Sequence, residues 1–497
     1  MAGGVDDGST YNKKTAFVYI FNLVVGVGAL SLPYGFSRAG LVLGTLFLAI
    51  IGFLAFITTT WIIEASAAAN FILRNEKKEI DEKSSLINEL NSEQDDCDKK
   101  DSNDEDHIGG VPSSIGSFES EFEIKERIEV GQMSKIYFGP IGYKLFYAAL
   151  VVYLFGDLSI YAATVPKSLA TVSGSFSIGK LHLTSSENGL HGTAYYFFLF
   201  LFACFAAPLS LFNFQKTKYL QILTLFTRNF AFFLMIILSI IFVAKGNGST
   251  IKDVKIFDIS NLPVMFGVSI YSFMCHHSLP SILTPIRKKN KLPLLMGLDF
   301  ILIFAAYATL CISSLFAFGN VTNPTCEPMS GNIHTFIPCQ IQQLFIYNFT
   351  SYNIKFFADF LALFPVFTLS TNYVLISITL RNNLMLLITW KQDSMNPKIR
   401  SLIFSLASSL IPVIIAFCTR DVGLLVNITG AYFGICIMFI FPVFISYFSN
   451  KMLAEKYNVV NLKKSVFSNK VFYILILLIS LCSFVLATYN IVKNYGH

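Results

Sequence analysis

Two apolar stretches of this chain are interrupted and then close on the same tripeptide. Phe17 to Pro33 carries Gly26 and Gly28 and ends Ser31-Leu32-Pro33, while Phe266 to Pro280 carries Cys275, His276 and His277 and ends Ser278-Leu279-Pro280. A bilayer core offers no water to a freed backbone group, so a break inside an apolar span persists only where protein or a wet cavity covers it. Glycines also serve close helix packing. The repeated Ser-Leu-Pro favours a break instead, because Pro33 and Pro280 each withhold a backbone donor just beyond it. Two interrupted spans in corresponding places of two halves point to the binding site of a secondary transporter.

Such a chain must be largely apolar, and this one is: 54% of 497 residues are hydrophobic, 14% are charged and the mean hydropathy is +0.59. Segments long enough for a hydrocarbon core of about 30 Å lie near 16–38, 41–70, 143–170, 193–213, 219–244, 259–285, 293–318, 354–380, 400–419, 425–448 and 470–492. Eleven spans are therefore expected. Placing residues 1–15 in the cytosol puts seventeen Lys and Arg in inner loops, Arg287, Lys288, Lys289 and Lys291 among them, against nine outside. The C-terminus is then outside or lumenal. The first fifteen residues are polar and the run after them is span-length without a small-residue cleavage site, so no cleavable signal peptide is expected.

Net charge is +6, but residues 76–106 hold thirteen acids against five lysines, which leaves a basic remainder on the inner loops. That remainder faces anionic lipid, and no nucleic-acid partner is implied. The acidic stretch, with the serines, asparagines and Gly109-Gly-Val-Pro around it, cannot bury enough apolar surface to order itself, so a disordered cytosolic loop is expected over 74–118. Within it, Glu82-Lys-Ser-Ser-Leu86-Ile87 resembles acidic dileucine signals read by sorting adaptors of endosomes and lysosomes. Phe118, Phe122, Ile124 and Ile128 alternate with charged residues and suggest a short amphipathic helix on the inner membrane surface.

Of nine cysteines, six fall in spans and Cys97 in the acidic loop. Cys326 and Cys339 share one outer loop with the glycosylation acceptors Asn320-Val-Thr and Asn348-Phe-Thr, and either a disulfide or two free thiols fits that pair. Asn247-Gly-Ser is a further outer acceptor.

The broken spans are the first and sixth, so an odd number of crossings inverts the second half on the first. The expected architecture is all-α: an inverted five-plus-five repeat, 16–244 and 259–448, with an extra C-terminal helix over 470–492. An unwound helix presents N–H groups on one side and C=O groups on the other, which suits a zwitterion. The carboxylate is expected at Gly26, Gly28 and Ala29, the ammonium at carbonyls near Phe266 and Gly267, with Tyr271 and Ser272 in the wall. Glycine lets the backbone approach without a side chain in the way.

The strings Phe21-Asn-Leu-Val-Val-Gly-Val-Gly-Ala-Leu, Thr58-Thr-Thr-Trp-Ile-Ile-Glu-Ala, Tyr153-Leu-Phe-Gly-Asp-Leu, Gln215-Lys-Thr-Lys-Tyr-Leu-Gln-Ile-Leu-Thr, Tyr271-Ser-Phe-Met-Cys-His-His-Ser-Leu-Pro and Phe364-Pro-Val-Phe-Thr-Leu-Ser-Thr-Asn resemble the transmembrane protein 104-like group. That group sits in the amino acid/auxin permease family of the amino acid, polyamine and organocation superfamily. The likeness covers nearly every span and fails in the acidic and outer loops. It implies a leucine-transporter type fold and coupled amino acid transport, without naming the substrate. It also implies a sodium site built from Asn22, four residues before Gly26, and from Ser370 and Thr371, whose oxygens suit a hard cation. Ser and Thr hydroxyls equally bond back to their own helix.

Protons are the favoured coupling ion. Asp157 lies near the middle of the third span, where an unpaired carboxylate costs at least ~2.5–3.5 kcal/mol and is functional by default; the alternative is a carboxylate pinned by neighbouring hydroxyls. His276 follows the second break and matches a histidine of the related sixth-helix pattern; histidine titrates near pH 5 to 8. Neighbouring histidines diverge by about 100° on a helix, so no metal site is expected, nor any organic cofactor. No phosphate loop, nucleophile elbow or large soluble domain supports an enzyme. The expectation is a monomeric carrier of small neutral amino acids or related zwitterions, in lysosomal or endosomal membranes in preference to the plasma membrane. The alternatives are an amino acid sensor signalling through the cytosolic loop and a sodium-coupled plasma-membrane carrier.

Overall fold

The computed structural model describes residues 10–95, 121–174, 176–178, 181–183, 192–211, 218–319, 340–350, 352–388 and 396–495. It is helical apart from one small hairpin, in which Phe176–Ile178 pairs antiparallel with Leu181–Leu183. In chain order the helices are α1 (Lys13–Val24), α2 (Gly28–Ala39), α3 (Leu41–Asp95), α4 (Val130–Ser173), α5 (Thr193–Leu211), α6 (Lys218–Phe242), α7 (Leu262–Phe273), α8 (Leu279–Leu283), α9 (Leu292–Phe318), α10 (Lys355–Leu387), α11 (Pro397–Cys418), α12 (Val422–Ile428), α13 (Phe441–Tyr457) and α14 (Lys470–Tyr495). Wide π-type turns over Thr429–Gly434 and Cys436–Ile440 join α12 to α13.

Among the described residues nine helical stretches are long and apolar enough to cross a bilayer, and α1 with α2, bent by 58°, makes a tenth as one broken span. The expected sixth span, 259–285, is no single rod: α7, a 3-10 turn at His276–Ser278 and the five-residue α8 divide it. The tally therefore stops at ten span-length elements plus this divided segment, where eleven were expected. α4 against α10 is the largest helix contact, and α2 packs along α7. Large apolar side chains such as Ile141, Phe200, Phe226 and Val471 point outward, as they do where lipid rather than water is the solvent.

Gly139 and Pro140 turn the chain near the start of α4: Gly139 has φ +69 and ψ −161, a region that glycine alone enters at little cost. Gly40 holds φ +92 where α2 turns into α3, and a Cβ there would lie 2.7 Å from the Ile256 carbonyl carbon. That close approach lets the 254–258 segment stitch itself to the turn. Leu41 N donates to Lys255 O at 2.9 Å, Val42 N to Ile256 O at 3.0 Å and Asp258 N to Ala39 O at 2.8 Å. The start of the divided segment is thereby tied to the end of the broken one. At the other end, Tyr11 N donates to Pro285 O and Arg287 N to Tyr11 O, both at 3.0 Å.

Asp258 completes the first of these joints. Its carboxylate accepts from Lys255 Nζ at 2.7 Å, Ser260 N at 2.9 Å and Asn261 Nδ2 at 2.8 Å, and the Lys255 and Ser260 bonds hold it far below the usual carboxylate range. A depressed folded-state pKa contributes stability above the unfolded value of about 3.9, which is lost as pH falls through it and below. Asp258→Asn should flatten the acid limb of a thermal-stability profile below about pH 4; parallel limbs in the two proteins would remove Asp258 from that balance.

The acidic loop departs from expectation in part. Residues 74–95 continue α3 as helix, with Glu82 exposed, so the dileucine-type motif of Glu82, Leu86 and Ile87 lies on a helix; residues 96–120 lie outside the described ones. The amphipathic surface helix is also corrected. Residues 122–129 form a docked strap: Phe122 is buried and stacks on Phe71 at 4.6 Å, Asn70 Oδ1 accepts from Lys125 N and Glu126 N, and Arg74 donates to the Glu121 and Glu123 carbonyls. Ile124 and Ile128 are buried with it. Burying these three apolar side chains in the protein outweighs laying them on lipid, because α3 also supplies polar partners for the strap backbone.

Candidate functional site

The first span breaks where its sequence says it should. Val25 N donates to Phe21 O at 2.8 Å and ends α1, and α2 starts at Gly28. Among the described residues the amides of Gly26, Val27 and Gly28 have no backbone acceptor, and the next bonds are Ala29 N to Gly26 O at 3.3 Å and Leu30 N to Val27 O at 3.0 Å. The two glycines do different work. A Cβ at Gly26 would meet only Val24 O, at 3.8 Å, whereas one at Gly28 would lie 2.6 Å from both Cα and Oγ of Ser272. Gly26 faces open space, and Gly28 is a packing point against α7.

That open space is a cavity of about 80 Å³, bordered by Gly26, Val27 and Ala29 of the break, Tyr161 of α4, Arg228 of α6, and Thr368 and Asn372 of α10. Since a water needs about 10–15 Å³ on this measure, the cavity suits a solute the size of a small amino acid. Arg228 Nη2 donates to Asn22 O at 2.6 Å, and Asn229 Nδ2 donates to Asn22 Oδ1 at 2.6 Å. Asn22 Nδ2 in turn donates to Val18 O at 2.7 Å. Both oxygens of Asn22 therefore face N–H donors, one of them a guanidinium. This corrects the expectation that Asn22 turns an oxygen to sodium. Thr371 bonds back to Phe367 O at 2.9 Å, and neither it nor Ser370 borders the cavity.

The second break falls later than expected. α7 runs intact through Phe266, Gly267, Tyr271 and Ser272, and the chain leaves helical geometry at Met274 and Cys275. Phe266 is buried against Phe47, with ring centroids 5.2 Å apart, and a Cβ at Gly267 would lie 2.9 Å from Asn427 Cα. Here the packing reading of glycine prevails: Gly267 and Gly430 let α7 and the π-turn after α12 approach backbone to backbone. Ser272 Oγ bonds back to Val268 O at 2.8 Å. None of these four residues borders the cavity. The two breaks nevertheless meet at one group, because Tyr307 Oη of α9 lies 3.1 Å from both Val24 O and Ser272 O. One hydroxyl proton serves one carbonyl at a time.

Tyr271 does bear on the site by another route. Its hydroxyl donates to Asp157 Oδ1 at 2.5 Å, and Asp157 is buried on α4 one helical turn before Tyr161. Residues four apart share a helix face; Tyr161 borders the cavity and Asp157 itself does not. His276 is fully buried, its Nε2 2.7 Å from Thr58 Oγ1 of α3 and its Nδ1 without a hydrogen-bond partner among the described residues. Glu64 is buried, accepting from Ser446 Oγ at 3.1 Å, Asn450 Nδ2 at 2.5 Å and Ser468 Oγ. Asp299 is also fully buried. Among the described residues no group of three or more His, Cys, Asp or Glu could hold a metal.

Of the outer-loop expectations, Cys326, Cys339 and Asn320 lie outside the described residues, and so does the side chain of Asn247. Asn348 is corrected: it is 4% exposed, its Oδ1 accepts from Gln342 N at 2.9 Å and its Nδ2 donates to Gln340 O at 3.1 Å. An amide used to fold its own loop is no accessible glycan acceptor. Arg228 borders the cavity and was not singled out from the sequence. An arginine ten positions into an apolar span was reason enough to treat it as functional.

A multi-pass helical bundle whose interrupted first span opens on a solute-sized cavity has the build of a membrane transporter. The chain belongs to the family described as transmembrane amino acid transporter protein, which matches residues 9–82 and 118–492. Over its full length it is 64% identical to transmembrane protein 104 homolog of Dictyostelium discoideum, with all of both chains covered. It is 37% identical to transmembrane protein 104 of Gallus gallus and 35% identical to that of Homo sapiens, each with 99% of both chains covered. The family is one of transporters, not of enzymes.

Proposed function

We propose that this protein is a secondary carrier of small amino acids that works by alternating access, with the cavity at the first break as its substrate site. The supporting observation is the pairing of unbonded amides at Gly26, Val27 and Gly28 with a cavity of amino acid size. The segment holding α7 and α8 acts as a short, divided sixth span, completing eleven, and the spans form an inverted five-plus-five repeat with α14 added. The N-terminus is cytosolic. Tyr307, shared between the two breaks, lets α1 and α7 exchange one donor as they rock.

Coupling is to protons. Asp157 is the carrier of the proton, and its bond from Tyr271 links its charge state to α7. Sodium is disfavoured because the oxygens of Asn22 are occupied by Arg228 and Asn229. Uptake of labelled amino acids into vesicles holding the full chain, at two pH values with and without sodium, tests the reading. Flux that rises with an inward proton gradient and ignores sodium is expected; binding without flux would make the protein a sensor instead.

The membrane is lysosomal or endosomal, and the support is the helical extension of α3 that carries the Glu82, Leu86 and Ile87 motif, with Glu82 exposed. Leu86→Ala with Ile87→Ala should move most of a tagged protein to the cell surface. An unchanged distribution by microscopy would make the motif a coincidence.

A further inference from the structure

The cavity is unbalanced in charge. Arg228 is its cation, and no acidic side chain borders it among the described residues. The guanidinium makes one hydrogen bond, Nη2 to Asn22 O, and its Nε is buried with no partner among the described residues. Helix dipoles do not settle the account. The C-terminal end of α1 contributes roughly −0.5 charge and the N-terminal end of α2 roughly +0.5, and the two ends meet across three residues. The guanidinium bonds Asn22 O at the α1 end, while the α2 end borders the same cavity at Ala29, so the two ends together add no net charge to the cavity. Asp157, the acid one helical turn before Tyr161, does not border the cavity, so the Arg228 charge has no counter-ion there, in a low-dielectric site where an uncompensated ion is strongly disfavoured.

A zwitterionic amino acid does not correct this, because its own ammonium adds as much positive charge as its carboxylate removes. We infer that the substrate is an amino acid with one net negative charge, an acidic amino acid, with one carboxylate seated on Arg228 and the free amides of Gly26–Gly28. This rests on the carrier reading above and narrows its substrate class. Arginine suits the role because its planar fork, even with one Nη engaged, presents further N–H donors to a carboxylate. Tyr161, Thr368 and Asn372 supply the remaining polar wall, where a neutral hydroxyl or amide can meet an ammonium lone-pair-first without charge.

Binding of L-aspartate, L-alanine, L-lysine and lactate to the purified full chain, by calorimetry or ligand-induced thermal shift, tests the inference. Wild-type protein should prefer aspartate to alanine by about 30-fold, the worth of a charge-assisted pair, and should ignore lysine. Arg228→Gln should lose that preference and Arg228→Lys should keep part of it. Should Arg228→Gln fail to fold, the wild-type order of aspartate and alanine decides alone. Alanine binding as well as aspartate, or aspartate binding unchanged in Arg228→Gln, overturns the charge inference and leaves the amino acid carrier standing. Lactate binding with no amino acid binding does the opposite: it supports the charge and sinks the amino acid reading.

Discussion

Asp157→Asn protein in sealed vesicles is expected to bind substrate and to move it at a rate that no longer follows an imposed pH gradient. The wild-type carboxylate is buried and has one strong partner, the Tyr271 hydroxyl at 2.5 Å. An ionised carboxylate there holds the donor on α7, and a protonated one releases it or turns donor itself. Protonation would thus change how α4 grips α7. Asparagine keeps the shape and removes the proton, so the pH-driven component should fall by about 100-fold, the usual scale for a proton-transferring group, while affinity at equilibrium shifts much less. Tyr271→Phe is the companion variant: it keeps the titratable group, and its pH response should persist with a shifted midpoint. An Asp157→Asn protein that still follows the gradient would take Asp157 out of coupling.

Gly26→Leu should abolish substrate binding in a protein that is otherwise intact. The side chain would enter the cavity, since a Cβ there meets nothing nearer than Val24 O at 3.8 Å, and φ at this position is not in the region reserved for glycine. A loss of about 100-fold or more, roughly 2.7 kcal/mol, is expected in calorimetry, with the melting profile near that of wild type. Gly28→Leu is a poor substitute for this experiment despite sharing the motif. Its Cβ would lie 2.6 Å from Ser272 Cα, so lost binding would report misfolding of the α2–α7 contact. Retained affinity in Gly26→Leu would place the substrate site elsewhere.

The contrast between Gly26 and Gly28 shows how far the sequence could be read. Glycine spacing and Pro33 announced that the helix breaks, and α1 indeed stops at Val24. Which glycine faces a ligand depends on what stands opposite, and Ser272 stands opposite Gly28 from 244 residues away. In the sixth segment the same glycine logic misled, because Gly267 answers to Asn427 and Gly430 rather than to a solute. Asp157 stood out in the sequence as a lone acid in mid-span, and the structure buries it; its bond from Tyr271, 114 positions away, could not be read from either stretch.

The sequence by itself determined the membrane class, the positions of ten span-length elements, the break at 25–27 and the family, since these depend on local hydropathy, backbone capability and shared strings. Tertiary structure alone decided that a guanidinium occupies Asn22, that the 122–129 strap docks on α3 and that Asn348 is folded inward. Arg228 and Asn22 are 206 positions apart. Their pairing follows from how the helices pack, and packing is a property of the whole bundle that no local stretch encodes.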